Sequence, residues 1–259
     1  MNTFNFYAHY YDILYRDKNY DNETHFISRL LKSYVPQCHS ILELGSGTGL
    51  HAVLLSLQGY NIVGVDRSDE MIMHSNRRID LIGVEDAPQL RFVKGDIRDI
   101  RLGMSFDVVI SLFHVISYQS TNNDLLATFT TARTHLKLGG YFIFDCWYAP
   151  AVLTLQPVTR VKYVEDENTR IIRVAEPKLH PNDNFVDVHY RVFVQDKTSE
   201  IMTEIQETHR MRYLSLPEID MLFAQTGFER VKCGEWLSER DPGSDTWGIY
   251  VIGRVKGAE

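Results

Sequence analysis

Apolar residues change their spacing several times along this chain, and each change marks an expected element. Residues 5–16 and 21–34 carry helical spacing. The second stretch places Phe26, Leu30, Leu31 and Tyr34 on roughly one face and meets Pro36 at its end. A short apolar run, SILELG over 40–45, then reads as a strand running into a glycine loop. From there strands and helices alternate. Helices are expected over 50–59, closed by Gly59, over 68–79, opened by Ser68, and over 123–140, stopped by glycine. Strands are expected over 61–66, 90–96, 106–113 and 141–147, the third nearly all apolar, as a strand covered on both faces must be. This alternation predicts a parallel, doubly wound α/β sheet with right-handed crossovers.

After Trp147 the repeat changes. Val186, Val188, Tyr190, Val192 and Val194 alternate with other residues, and turn residues sit at 165–168, 181–184 and 195–197. The pattern predicts an antiparallel meander of about four strands and no helix between 160 and 213. Helical spacing returns over 215–227, with Ser215 as cap, Pro217 in the first turn and Gly227 at the end. Strands over 228–237 and 247–255 close the chain. The expected division is an N-terminal helical lid over 1–36, a cofactor-binding α/β core over 37–157, a β insertion over 158–213, and a C-terminal helix with the last two core strands over 214–259.

Composition excludes some functions. The 259 residues carry a formal net charge of −7. That disfavours a general binder of nucleic acid or anionic membrane, because phosphate affinity comes mostly from clustered Lys and Arg. No apolar run approaches the ~18 residues of a membrane-spanning helix, and the N-terminus lacks the pattern of a signal peptide. Cys38, Cys146 and Cys233 match no metal-ligand spacing and read as reduced thiols. A cytoplasmic protein without a resident metal is expected.

The strongest chemical signal is ELGSGTG, Glu43 to Gly49, at the first strand-to-helix turn. Glycine there lets the backbone approach a ligand at the carboxyl end of a strand. The dinucleotide fingerprint would need glycine where Leu50 stands, and Glu43 would repel a pyrophosphate but not a cation. Asp66 ends the second strand, placed to accept two ribose hydroxyls. Asp96, in GDIRD after the third strand, is placed to accept from an adenine amine, with the Ile97 N–H donating to a ring nitrogen. Three acids thus end three consecutive strands along one edge.

This pattern resembles the class I S-adenosylmethionine-dependent methyltransferases, over nearly the whole chain. The resemblance implies a Rossmann-like methyltransferase fold: a seven-stranded, mostly parallel sheet whose final strand is antiparallel, here with a β-meander inserted. It implies S-adenosyl-L-methionine as cofactor. Gly45, Gly47 and Gly49 would border its methionine part, Asp66 its ribose, and Asp96 and Ile97 its adenine. Ser111 and Leu112 would lie near the sulfonium. Tyr11, Tyr20, Glu43, His51, Arg67 and Met71 complete the expected cofactor set.

Within that class, YYDILYRDKNY (10–20), GSGTGLH with His51, and FDCWY followed by a meander resemble the sugar amine N-methyltransferases. Those enzymes act on nucleotide-linked amino-deoxysugars, and their meander helps build a dimer and the sugar-nucleotide site. Methyl transfer to a small-molecule amine is therefore expected, with a homodimer. O-methylation of another metabolite, or a cofactor-binding partner subunit without activity, are the alternatives. Where that family carries histidine after the fourth strand, this chain has Tyr118, with His114 one turn earlier. Tyr11, His114 and Tyr118 are the candidates for catalysis. Tyr7, Tyr15, Phe113, Trp147 and Tyr148 are the candidates for substrate contact.

The aromatic start then has a rationale. Tyr7, Tyr11 and Tyr15 recur every four residues, so one helix face carries three phenols. Over a sulfonium such a helix is a cover, since rings shed water and tolerate a cation. His189 and His209 read as core or dimer contacts, and Arg210 and Arg212 as a diphosphate contact or solvated surface.

Overall fold

The structure, a computed structural model, describes residues 7–82 and 89–257. Phe4, Phe6 and the Tyr7 side chain, expected in the aromatic cover, lie outside what it describes. Helices α1 (Tyr7–Leu14) and α2 (Tyr20–Tyr34) open the chain. The Asn19 side chain caps α2 by accepting from the Asn22 N–H at 2.9 Å. Then follow β1 (Ser40–Leu44), α3 (Leu50–Ser56), β2 (Asn61–Asp66), α4 (Asp69–Ile82), β3 (Leu90–Lys94) and β4 (Phe106–Ser111). A 3₁₀ turn (Val115–Tyr118), α5 (Asn122–Thr134), β5 (Leu136–Tyr148) and α6 (Ala149–Leu155) complete the first half. The meander is β6 (Arg160–Glu165), β7 (Thr169–His180), β8 (Phe185–Asp196) and β9 (Met202–Leu214); α7 (Leu216–Thr226), β10 (Phe228–Glu235) and β11 (Gly248–Val255) close the fold.

The core sheet runs β3-β2-β1-β4-β5-β11-β10. It is parallel from β3 to β5, and β11 is antiparallel to both of its neighbours. Alternate residues of β1 and β4 feed two apolar layers. Leu42, Leu44 and Val109 face α5 and α7 through Phe129 and Phe223. Ile41, Val108 and Ile110 face α2 and α3 through Ile27, Leu31 and Leu55. Two covered faces explain why β4 reads as a continuous apolar run.

The meander does not stand apart. Its last strand pairs with the end of β5, Trp147 with Tyr213 and Tyr148 with Leu214, so one continuous surface joins it to the core. Its strict alternation puts Val186, Val188, Tyr190, Val192 and Val194 on one face, toward the core and α1. Helix α1 lies on that face, with Leu14 fully buried among Ile171, Val192 and Val194.

One expected element is corrected. The helix read over 123–140 ends at Thr134, and residues 136–140 open β5 instead. The His135 ring stops the helix: its Nδ1 donates to the Thr131 carbonyl at 2.8 Å, and its Nε2 accepts from the Leu102 N–H at 3.0 Å. The glycine pair then serves a strand irregularity rather than a helix stop. Gly139 takes φ +72°, and the β4–β5 register jumps from Phe106–Leu136 to Val108–Tyr141.

Candidate active site

A cavity of about 680 Å³ lies between the carboxyl ends of β1, β2 and β3 and the inner face of the meander. That size places it among small-molecule sites. Its floor is the glycine loop, where the Gly45 and Ser46 amides donate to the Val65 carbonyl at 2.8 and 2.9 Å. The three loop glycines, all at positive φ, differ in use. A Cβ on Gly45 would stand 2.5 Å from Val115 Cγ1, and one on Gly49 2.5 Å from the Phe92 ring. A Cβ on Gly47 would meet nothing within 4 Å. Gly47 therefore faces the open cavity, whereas Gly49 packs against β3 and α4 and does not reach the wall. Gly45→Ala is expected to cost about 1–3 kcal/mol, from backbone strain together with the clash. Val115→Ala should restore only the steric part, as read by thermal unfolding of both single variants and the double variant.

Asp66 closes the loop from the side. Its Oδ2 accepts from the Gly47 N–H and its Oδ1 from the Ser68 N–H, both at 2.9 Å. Burial raises its pKa, and the two amides pull it back down. Asp96 is held differently. Arg98 grips both oxygens, Nε to Oδ1 at 2.9 Å and Nη2 to Oδ2 at 2.6 Å, and continues to Asp124 at 2.8 Å. The guanidinium keeps the Asp96 carboxyl below its ordinary range. The third acid at this rim therefore arrives already paired, and Arg98 joins the wall beside Ile97.

Glu43 lies beneath the loop, 1% exposed and off the cavity wall. Burial first, and the Asp66 charge second, push its pKa up to about 8, while the Lys18 ammonium acts the other way. Above it lies a buried polar chain. His51 Nε2 stands 2.7 Å from Glu23 Oε2, His51 Nδ1 stands 3.8 Å from Glu43 Oε1, and Lys18 pairs with Glu23. Burial lowers the pKa of both Lys18 and His51. The Lys18 ammonium also lies over Tyr20, at 3.8 Å from the ring centroid, and Phe113, at 4.3 Å.

Helix α1 and the residues after it close the cavity from above. Tyr11 and Tyr15 sit with ring centroids 4.7 Å apart, and Phe113, from beyond β4, meets Tyr15 edge-on at 5.1 Å. Polar ties on two sides hold the cover down. Asp12 accepts from the Thr48 hydroxyl at 3.0 Å and pairs with Arg78, whose Nε donates to the Thr48 carbonyl at 2.9 Å. On the meander side, Lys162 reaches Asp17 at 2.6 Å and Arg173 reaches the Tyr15 hydroxyl at 3.1 Å.

Phe113 and His114 both adopt left-handed backbone, at φ 65° and 61°. Asp145 on β5, 1% exposed, holds that turn: its two oxygens accept from the His114 N–H at 3.1 and 3.0 Å. His114 Nδ1 stands 2.7 Å from Asp145 Oδ2, without the alignment of a hydrogen bond. Farther in, Tyr118 lines the cavity and its hydroxyl meets His209 Nδ1 at 2.8 Å; His209 Nε2 meets Glu207 Oε2 at 3.0 Å. Burial holds the Tyr118 phenol well above its ordinary pKa.

Most of the residues expected at the site are thus brought together: Tyr11, Tyr15, Tyr20, Gly45, Gly47 and His51, then Asp66, Arg67, Met71, Asp96 and Ile97, then Phe113, His114, Tyr118 and Trp147 all line one cavity. Glu43, Gly49, Ser111 and Tyr148 do not reach its wall. The fully buried Ser111 donates to the Leu44 carbonyl at 2.9 Å and ties β4 to β1. Tyr148 packs in the core beside Leu214. Arg210 borders the cavity but is gripped by Asp187, at 2.8 Å on both arms, and Arg212 meets Glu218. Nothing in the sequence spacing points to Glu23, Arg98 or Asp145, or to the His209–Glu207 pair. The one available signal is Tyr190, a ring in an otherwise valine stripe.

A glycine loop open at Gly47, acids ending β1, β2 and β3, and an aromatic cover define a class I S-adenosylmethionine-dependent methyltransferase. Residues 41–140 match the family described as methyltransferase domain. The chain is 28% identical to the dTDP-3-amino-3,4,6-trideoxy-alpha-D-glucopyranose N,N-dimethyltransferase of Streptomyces venezuelae, over 72% of this chain and 76% of that one. It is 25% identical to the dTDP-3-amino-3,6-dideoxy-alpha-D-glucopyranose N,N-dimethyltransferase of Streptomyces fradiae, over 85% and 82%. In fold it superposes on an S-adenosylmethionine-dependent methyltransferase from Clostridium acetobutylicum ATCC 824, with a TM-score of 0.82, 23% identity, and coverage of 99% and 100%. The donor set fits the cofactor. Ser46 Oγ, on the cavity wall, is buried with no hydrogen-bond partner among the described residues, and the loop backbone is open at Gly47.

Proposed function

We propose that this methyltransferase acts on the amino group of a nucleotide-linked amino-deoxysugar. The observation that carries the reading is the shape of the cavity, continuous from the acidic strand ends to the inner face of the meander, where Arg160 and Arg173 join its lining. A diphosphate needs basic groups; a sugar needs aromatic walls and hydroxyls. Tyr15, Tyr190, Trp147 and Trp247 supply the walls on that side. The two relatives named for dTDP-linked amino sugars support the same substrate class.

In this reading Gly47 and Ser46 border the methionine part of the cofactor, and Asp66 holds its ribose. Met71, Ile97 and the Asp96–Arg98 pair border its base, and Tyr11, Tyr20 and Phe113 surround its sulfonium. S-adenosylmethionine supplies an electrophilic methyl group on sulfur. The protein aligns an amine behind that methyl and excludes water, which is where most of the rate gain in such a displacement resides. Residues 158–213 build the acceptor side, and residues 7–20 cover both ligands. Val161 and Tyr163 stand exposed on the edge strand β6, which suits a homodimer, and sedimentation at micromolar concentration checks it.

The test is turnover with dTDP-linked 3-amino and 4-amino deoxyhexoses, read by the mass gained per methyl group. Arg173→Ala is expected to raise KM for the nucleotide sugar about tenfold, the loss of one charge-assisted contact of ~1.5 kcal/mol. Its kcat should change far less. No methylated product from any amino sugar, with S-adenosylhomocysteine still binding, would sink the substrate assignment.

A further inference from the structure

An ammonium nitrogen has no lone pair, so an amine acceptor must lose a proton before it attacks carbon. We propose that Tyr118 takes this proton and passes it through His209 to Glu207, so that the meander supplies the far end of the proton path as well as the acceptor pocket. The inference rests on the amine reading above.

Sheet geometry assembles the chain. Glu207 and His209 are two residues apart on β9 and so share a face. The register opposes Tyr190 to Glu207 and Val188 to His209, on the inner face of the meander. His209 is 2% exposed, with Tyr118 at one ring nitrogen and Glu207 at the other. The arrangement fits one tautomer. The Tyr118 hydroxyl donates to Nδ1, and Nε2–H donates to Glu207 Oε2. The other charged and titratable groups facing this chain are Tyr190 on β8, ring to ring with His209 at 4.8 Å, Arg173 on β7, 5.1 Å from the Tyr190 ring, and Tyr15.

The step balances. An N–H bond of the substrate ammonium breaks and its proton goes to Tyr118 Oη. The Tyr118 O–H proton goes to His209 Nδ1, and the His209 Nε2 proton goes to the Glu207 carboxylate. The amine keeps its electron pair and forms the N–CH3 bond. As the S–CH3 bond breaks, its pair stays on sulfur. Tyr118 never becomes a phenolate, which its burial would forbid; it accepts one proton as it gives up another. Asp145 is less suited to drive a rival base at His114. Its two oxygens already accept from the backbone of that strained turn, so it is a structural brace.

The experiment measures kcat and KM against pH with S-adenosylmethionine and a dTDP-linked 3-amino-3,6-dideoxyhexose. Variants are Tyr118→Phe, His209→Gln, Glu207→Gln and His114→Gln. Tyr118→Phe and His209→Gln are expected to lower kcat about 10–100-fold at pH 7, the usual size of a general-base contribution. The gap should close as rising pH lets solvent take the proton, and KM should stay within about threefold of wild type. Glu207→Gln should give a smaller loss with the same alkaline recovery. His209 and Glu207 reach the amine only through Tyr118, and the pH profile separates their part in the relay from simple misfolding. Unchanged calorimetric binding of S-adenosylhomocysteine confirms intact folding. Wild-type turnover with unaffected variants overturns the relay alone. So does a pH-dependent loss confined to His114→Gln. No turnover by the wild type with this or any other 3-amino or 4-amino deoxyhexose overturns the amine reading, and the relay with it.

Discussion

Glu43→Gln is expected to make the ligand-free protein more stable above pH 6 and less sensitive to pH. The carboxyl is 1% exposed, and burial, with the Asp66 charge behind it, pushes its pKa up to about 8. In the unfolded chain a glutamate titrates near ~4.3. Between those values the folded state keeps a proton that the unfolded state gives up, so stability falls as pH rises through this window. Every tenfold difference in proton affinity between the two states corresponds to about 1.4 kcal/mol, which puts the loss at pH 8 on the order of 4–5 kcal/mol. Urea unfolding should give similar stabilities for wild type and variant at pH 5 and a clear gain for Glu43→Gln at pH 8. Equal pH slopes would mean that the carboxyl is not held neutral.

A positively charged cofactor is expected to act on that buried acid. A ligand carrying positive charge favours the ionised form of a nearby carboxyl. Wild type should therefore release a proton when it binds S-adenosylmethionine near pH 7, seen as a buffer-dependent heat in calorimetry. Glu43→Gln should bind about tenfold more weakly and release none. Those two outcomes together would set stability against binding at this position.

How much of this was legible in the sequence depended on how local each feature is. Strand β2 falls on residues 61–66 as its apolar run indicates. Helix α7 starts at the Ser215 capping box and ends at Gly227 in left-handed backbone, both written in its own sequence. The meander followed from the valine alternation, because period two has few other meanings. The glycine pair at 139–140 misled because a helix stop and a strand irregularity demand the same residue, and only the pairing of Leu136 with Phe106 tells them apart.

The site divides along the same line. The glycine loop, Asp66 and Asp96 were visible because each ends a strand on the sheet edge where ligands bind. That Asp96 is gripped by Arg98 two residues away was equally local, but an arginine after an acid has many meanings. Glu23 beneath His51, Asp145 beneath His114, and His209 behind Tyr118 join residues 28, 31 and 91 positions apart. No spacing within the chain could announce them. They exist only once α2, β5 and β9 have packed around the cavity.

Asp66→Ala is expected to weaken S-adenosylhomocysteine binding about 100-fold, the ~2.7 kcal/mol that the loss of one or two charge-assisted hydrogen bonds implies. A drop alone would be ambiguous, because Asp66 does two things. Its oxygens accept from the Gly47 and Ser68 amides, so its removal also loosens the loop that forms the cavity floor. A second ligand separates the two effects. An S-adenosylhomocysteine analogue lacking both ribose hydroxyls should bind wild type weakly and Asp66→Ala about equally weakly, because the partner of the carboxylate is already missing. If loop support were the whole effect, Asp66→Ala would lose the same factor with both ligands. The coupling between side chain and hydroxyls, read from four titrations, is the quantity that decides. A value near zero would remove Asp66 from the ribose and leave it as a brace for Gly47.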